Sequence, residues 1–339
     1  MKEDEIRPRQ LFNRYLQLSQ KDIENFFSDQ THFVEVPCPA CNSKKITEAF
    51  TKNQFKYKLC SECESLFLSP RPSQEMYADF YRHSDSVSFW STDFYKQTAE
   101  ARRLKIYRPR AERIVRWMRQ SNISSEKNKR FVDIGCGYGI FLEEMKRVDF
   151  FNQIMGIEPV NELAGICQKR GFQVFETYLE TVENGLLKAD FATAFEVLEH
   201  VCDPQTFLAA AHRVLNTNGF LMLTTLTVSG FDIQILWEKS NSVHPPHHIN
   251  LLSVEGIRRL VERCHLRLVD LRTPGELDID IVRNAQREDP GIKIPRFINA
   301  IINSSEEVRA RFQNFLKENL LSSHLQVILA RESAAVNNR

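Results

Sequence analysis

The stretch FVDIGCGYGIFL, residues 131–142, constrains this chain more than any other. An apolar run, Phe131-Val132-Asp133-Ile134, reads as a buried strand. Gly135, Gly137 and Gly139 follow at alternate positions, and Ile140-Phe141-Leu142-Glu143-Glu144-Met145 resumes with helical spacing. A strand, a glycine turn and a helix in that order bring a small ligand against the main chain, because no side chain stands between them. Taken alone, the turn suits a dinucleotide, another adenosyl group, or nothing.

Strand and helix alternate from this point on. FVDIG leads to the helix IFLEEMKRV and QIMGIEP to the helix NELAGICQKRG. QVFET, ADFATAFEVL, the helix PQTFLAAAHRVL and, after Asn218-Gly219, the strand FLMLTTLT come next. The helix VEGIRRLVERCH and the strand LRLVDLR continue the series, and LQVILARE is the natural last strand. Residues 276–322 read as helical and interrupt the pattern. Such alternation predicts an α/β fold: a mainly parallel sheet, helices on both faces, and ligands at the carboxyl ends of the strands.

At 339 residues the chain divides into two or three units. A formal net charge of +1 leaves no global footprint for nucleic acid. No run of about 18 apolar residues marks a membrane span. The charged start, MKEDEIRPRQ, has no apolar segment behind it, so no secretory signal is expected and a cytoplasmic location is. In that compartment eight cysteines are read as thiols or metal ligands rather than disulfides.

Four of them form a pattern. Cys38-Pro39-Ala40-Cys41 and Cys60-Ser61-Glu62-Cys63 are separated by 18 residues, with strand-like KKITEAF…FKYKLC between. Two Cys-x-x-Cys turns can complete a tetrahedral, structural zinc site, which is favoured over buried thiol pairs or a redox pair. The expected organisation is a helical arm at 1–35, a zinc-ribbon-like domain at 36–72, a helical connector at 73–128, and an α/β domain at 129–335 with a helical insertion at about 282–322. In the arm, LFNRYLQLSQKDIENFF places Leu11, Tyr15 and Leu18 on one face, with packing as its expected role. The connector carries Tyr77, Phe80, Tyr81, Phe89, Trp90, Phe94 and Tyr95, read first as packing and second as the mouth of a ligand site. Arg102, Arg103, Arg108, Arg110, Arg113 and Arg116 read as a solvated face, and SNISSEKNKR as a polar loop.

The second strand of the α/β domain ends in Gly156-Ile157-Glu158, about 25 residues beyond Asp133. An acid there can accept hydrogen bonds from both ribose hydroxyls of an adenosyl cofactor. The fourth strand ends Phe195-Glu196-Val197-Leu198-Glu199-His200, followed by Asp203-Pro204. With these three motifs in order, residues 130–272 resemble the class I S-adenosylmethionine-dependent methyltransferases. Together with the cysteines, the whole resembles bacterial methyltransferases that carry an N-terminal zinc-binding domain, among them sugar C-methyltransferases and surface-polysaccharide enzymes.

The resemblance implies a Rossmann-like, seven-stranded methyltransferase sheet preceded by a small zinc-ribbon-like unit. It implies S-adenosylmethionine as cofactor, bound by Asp133, Gly135, Gly137, Gly139, Glu158, Phe195 and Glu196, and a small or carrier-linked sugar-like acceptor. Structural zinc on Cys38, Cys41, Cys60 and Cys63 belongs to the same expectation. His200 reads as a group tying the strand end to the following helix.

A histidine cluster, His244-Pro245-Pro246-His247-His248, precedes Ser253, which reads as a helix cap. The sugar C-methyltransferases carry Tyr-His-Glu-His here. Aligning Ser253 with their serine places His248 on the last histidine and prolines where the Tyr and first His would be. His248, with His247 beside it, is the candidate catalytic base. A sharper alternative is that Glu196, Glu199, His200 and a histidine from 244–248 are similar to the divalent-metal site of small-RNA terminal ribose methyltransferases. Some quinone O-methyltransferases carry a related motif, and a metal there would lower a hydroxyl's pKa. Thr273-Pro274-Gly275-Glu276 and the acidic turn after it contact a polar acceptor or are a solvated turn. The helices beyond either cover the site or mediate self-association. The remaining alternatives are a silent zinc-ribbon interaction module and a nicotinamide dehydrogenase, the latter opposed by the Glu196–His200 signature.

Overall fold

The structure is a computed structural model and describes residues 3–121 and 129–331; most of the expected polar loop at 121–130, and the 332–335 end of the expected α/β domain, lie outside the described residues. The strands are β1 (Ile46–Lys52), β2 (Phe55–Cys60), β3 (Leu66–Leu68), β4 (Arg130–Ile134), β5 (Gln153–Ile157), β6 (Gln173–Phe175), β7 (Ala189–Phe195), β8 (Leu215–Leu226), β9 (Asn250–Leu251), β10 (Leu266–Arg272) and β11 (His324–Arg331). Among the described residues they form a seven-stranded sheet in the order β10-β11-β8-β7-β4-β5-β6 and a four-stranded sheet in the order β1-β2-β3-β9.

The large sheet reverses its strand order beside β4. Strands β4 to β8 run parallel, while β11 inserts antiparallel between β8 and β10. That reversal opens a crevice at the carboxyl ends of β4 and β7, where α/β sheets bind ligands. Apolar runs such as Phe131–Ile134 are needed because both faces are covered. On one face lie Phe207, Leu208 and Ala211 of the helix Pro204–Val214 and Ile257 and Leu260 of the helix Val254–Arg263. Helices Arg108–Gln120, Ile140–Arg147 and Asn161–Lys169 cover the other with Ile114, Met118, Phe141, Leu142 and Ala164. Full burial of side chains this size contributes roughly 1.5–3 kcal/mol each.

The cysteine-bearing unit is welded to this body. Cys38, Ala40, Cys60, Cys63 and Phe67 share one core with the first of those faces. Its sheet is completed from the far side of the chain: β9 pairs with β3, setting Leu66 against Leu251 and Phe67 against Asn250. The sequence shows no strand at 250–251, because two residues carry no periodicity to read. The helix Arg9–Phe26 buries Tyr15, Leu18 and Ile23, and its Asp22 accepts from Asp85 N (3.1 Å) and Ser86 N (2.8 Å) at the start of the connector's second helix. From Asp85 to Gln120 the connector is helical throughout, interrupted by π-helical turns at Trp90–Phe94 and Arg103–Tyr107. The insertion holds helices Asp278–Glu288, Arg296–Ile302 and Glu306–Glu318.

Candidate active site

One cavity of about 1780 Å³ opens at the crevice and extends under the arm and connector. Its floor is the glycine turn. Gly135, Gly137 and Gly139 have φ of 70°, 51° and 77°, a left-handed region that glycine enters without penalty. A Cβ on Gly137 would meet nothing within 4 Å, whereas one on Gly139 would stand 2.7 Å from Cys167 Sγ. Space above Gly137 is therefore open for a ligand, and Gly139 is glycine for packing.

Glu158 is buried and clamped from both sides: Gly137 N donates to Oε2 at 2.8 Å and Val160 N to Oε1 at 3.0 Å. Burial raises its carboxyl to about 7 against those two hydrogen bonds. Asp133, also buried, accepts from Thr193 Oγ1 at 2.6 Å, and burial lifts it to about 7. Asp133 and Gly139 stand behind the turn, while Gly135, Gly137, Glu158, Phe195 and Glu196 reach the cavity wall.

Glu196 takes a positive φ of 54° at the end of β7. It accepts from Thr224 Oγ1 at 2.8 Å and meets Arg110 Nη2 at 3.4 Å, with His324 Nδ1 3.5 Å away. Arg110 also lies 4.7 Å over the Phe195 ring, so this arginine belongs to the site wall and not to the solvated face expected of it. The other connector arginines divide: Arg103 and Arg108 are held by Glu143 and Glu144, while Arg113 and Arg116 are exposed.

Three groups converge elsewhere on the cavity lining. One ligand atom each of Glu199, His200 and His248 lies within 4.8 Å of the others. His200 Nδ1 donates to the His247 carbonyl at 2.9 Å, and His248 Nδ1 donates to the Ser242 carbonyl at 2.7 Å. A carbonyl can only accept, so in each neutral ring the proton sits on Nδ1 and Nε2 carries the lone pair. Burial lowers His200 to about 4 and takes His248 well below its ordinary value, with His200 adding to the fall. Glu199 accepts from Thr225 Oγ1 at 2.8 Å; burial, then Glu196, push its carboxyl well up. His200 does not cap the following helix; Asp203 does, accepting from Gln205 N at 3.0 Å.

His247 points elsewhere. It stacks on His244 (5.3 Å, 4° between planes), packs edge-on to Phe80, and its Nε2 is 3.4 Å from Ser86 Oγ. His244 Nε2 is buried without a partner among the described residues. Tyr15 of the arm packs on both rings at 5.3 and 5.4 Å, a contact the sequence reading assigned only to packing. Tyr81, Trp90 and Tyr95 line the cavity, while Phe80 and Phe94 are fully buried, so the aromatic run supplies both packing and wall.

The histidine loop is mounted on the cysteine unit. Tyr57 Oη donates to the His248 carbonyl at 2.7 Å, and Leu68 N donates to the Ile249 carbonyl at 3.0 Å. Arg71 Nη1 reaches Asn250 Oδ1 at 3.2 Å and the Cys202 carbonyl at 3.0 Å. Ser253 caps the next helix through Gly256 N at 2.8 Å and also donates to the Cys63 carbonyl. Within the unit, Cys38 and Cys63 Sγ are 3.5 Å apart, Cys41 and Cys60 likewise, and all four thiols lie within 4.8 Å. Four thiolates around a tetrahedral zinc at about 2.3 Å would be about 3.8 Å apart, so the residues present fit that ion.

Comparison with known proteins agrees with this geometry. Residues 103–271 match the family described as Methyltransferase domain. The matched residues include the glycine turn and five of the seven strands of the large sheet, so the match is to a methyltransferase domain. The chain is 35% identical over 108 residues to the ubiquinone biosynthesis O-methyltransferase of Escherichia coli O7:K1, and 34% identical to that of Shigella boydii serotype 18. Each match covers 30% of this chain and 45% of the relative, so the chain spans less than half the length of the curated relatives it matches. Among solved structures it is similar to the plantazolicin methyltransferase BpumL with SAH (14% identity, TM-score 0.46, covering 71% of this chain and 91% of that one). The O-methyltransferase of a Brevibacillus brevis trans-AT PKS multienzyme aligns at the same TM-score, 0.46, and identity, 14%, over 71% of this chain and 77% of that one. No helix among the described residues is long and apolar enough to cross a membrane.

Proposed function

We propose that this chain transfers the methyl group of S-adenosylmethionine to a hydroxyl oxygen of a small or carrier-linked polar acceptor of the sugar or sugar-nucleotide kind. When bound, S-adenosylmethionine supplies a methyl group on a positively charged sulfur, open to displacement by a nucleophile. The chain's own task is to orient the two partners and exclude water. Gly137 leaves the room the donor needs, and Glu158, already fixed by two backbone N–H groups, retains lone pairs for the ribose hydroxyls. Phe195 supplies an apolar floor, and Glu196, between Arg110 and His324, faces the reacting end.

The observation that carries oxygen methylation is the meeting of Glu199, His200 and His248. Two neutral imidazoles, each with Nδ1–H committed to a carbonyl and Nε2 unprotonated, beside the Glu199 carboxyl group, whose proton a bound cation would displace, are the donor set and outer support of a divalent-cation site. We propose that these three residues hold such a cation, which would lower the acceptor hydroxyl's pKa and fix its oxygen. A histidine held far below neutrality is a poor general base at pH 7, so His248 serves better as a ligand than as the base its position suggested. The relatives matched over 108 residues are named O-methyltransferases, which supports oxygen as the methylated atom. Cys38, Cys41, Cys60 and Cys63 are proposed to hold structural zinc.

The test uses full-length protein stripped by a mild chelator and given back zinc, with or without magnesium or manganese. S-adenosylhomocysteine is expected to bind in both states by calorimetry. Methyl transfer to a panel of catechols and nucleotide sugars, read by mass, is expected only with the divalent ion. His248→Gln should abolish transfer and keep cofactor affinity. Absence of S-adenosylhomocysteine binding would leave only a scaffold. Transfer indifferent to metal yet lost in His248→Gln would restore His248 as a base.

A further inference from the structure

We infer that the acceptor bears an anionic group, phosphate or carboxylate, held by Arg102 at the far end of the cavity's aromatic wall. That the anion belongs to a methyl acceptor rests on the function proposed above. Arg102 lies where the helix Tyr95–Arg102 passes into the π-helical turn Arg103–Tyr107, a kind of irregularity often found at functional sites. Its guanidinium carbon is 5.1 Å from the Tyr95 ring, 5.5 Å from Phe94 and 5.8 Å from Trp90. Nη2 donates to the Ile6 carbonyl at 3.3 Å, and the buried Nε has no partner among the described residues.

Its cationic neighbours are all offset. Arg7 meets Glu3 at 3.5 Å, Arg103 meets Glu144 at 3.1 Å, Lys105 meets Glu5 at 2.5 Å, and Arg110 meets Glu196 at 3.4 Å. Arg102 alone of this group has no carboxylate within ion-pair distance among the described residues. Ring faces attract a guanidinium but do not cancel its charge, and a half-buried cation without a counter-charge is costly. The planar fork of arginine matches two oxygens of a phosphate or carboxylate. An anion arriving with the acceptor would supply what the protein lacks.

The position defines the acceptor's shape. From His247 the rings run through Tyr15 (5.4 Å) and Trp90 (4.7 Å) to Arg102 (5.8 Å). Glu199, His200 and His248 lie at one end of this row and Arg102 at the other, in the same cavity. An acceptor serving both is an extended molecule, with the methylated hydroxyl at one end and the anion at the other.

Calorimetry on the full chain, with and without S-adenosylhomocysteine, reads this directly, using sodium pyrophosphate and sodium succinate as probes at low ionic strength. At least one probe is expected to saturate, and Arg102→Gln to weaken it by about tenfold or more, the loss of a charged hydrogen-bonding partner. Arg102→Lys should keep part of the affinity, and all three proteins should bind S-adenosylhomocysteine equally, which shows that the variants are folded. Saturation by pyrophosphate alone assigns a phosphate-linked acceptor; saturation by succinate alone assigns a carboxylate. Failure of both probes to saturate, or equal binding by Arg102→Gln, overturns the inference. Failure of S-adenosylhomocysteine to bind counts against the methyltransferase reading and leaves the anion titration valid.

Discussion

The glycine turn and the histidine loop line one cavity and are built by opposite means. Between Asp133 and Val160 the turn supplies its own supports: Glu158 is fixed by Gly137 and Val160, and Gly135 N donates to the Ile157 carbonyl at 2.8 Å. The histidine loop borrows. Its carbonyls and rings are held by Tyr57 and Leu68 from the cysteine unit, Tyr15 from the arm, Ser86 from the connector, and the Glu199 carbonyl, which takes Ile249 N at 2.8 Å. A local device keeps its shape while its neighbours change; a borrowed one fails with any of its lenders. Cofactor binding and acceptor activation should therefore be separable by mutation.

The largest effect should follow loss of the cysteine centre. Cys60→Ser, or removal of zinc by a strong chelator, is expected to destabilise the small unit by several kcal/mol. Manganese affinity at Glu199, His200 and His248 should fall with it, while S-adenosylhomocysteine affinity stays near that of the intact protein. Thermal unfolding and calorimetry on the same samples check this, and a parallel loss of both affinities would break the comparison.

Next comes the turn itself. Gly137→Ala adds a methyl group to open space at a left-handed φ, costing about 1–2 kcal/mol of stability. Cofactor affinity should drop by about tenfold or more, because the methyl group occupies the donor's room. Manganese binding should be untouched. Gly135→Ala should cost more stability, since its Cβ would meet Val197 Cγ2 at 2.9 Å.

The two ends should also titrate in opposite directions. Burial holds His200 at about 4 and His244 at about 3. Each contributes stability that is full above the ordinary imidazole value and is lost as pH falls through those values. Asp133 and Glu158, raised to about 7 by burial, contribute stability that is full at low pH and lost as pH rises through 7. His200→Gln should flatten the acid limb of the melting curve against pH, and Glu158→Gln the limb toward neutrality. A His200→Gln profile parallel to that of the parent protein would show that the imidazole is not buried neutral.

The smallest effect isolates one borrowed contact. Tyr57→Phe removes the donor to the His248 carbonyl and should cost about 1–2 kcal/mol. It should weaken manganese binding and spare the cofactor; an unchanged manganese affinity would show that the loop holds itself.

Legibility followed the same division. The strands of the large sheet, the cysteine spacing and the turn with Glu158 can be read from the chain because each is set by periodicity or by residues a few positions apart. Arg110 beside Phe195, Tyr15 against the histidines and Tyr57 under His248 carry no such mark. Each looks like an ordinary helix or strand residue until packing brings it to the site. His248 shows the point best: its identity suggested a base, and only burial and the Ser242 carbonyl make it a neutral lone-pair donor. The sequence by itself determined the sheet, the glycine turn and the four-thiol cluster, since short-range backbone and spacing rules suffice for them. Tertiary structure alone decided where the histidines point, what charge they carry and that Arg102 has no counter-ion among the described residues, because burial and long-range contact set those properties.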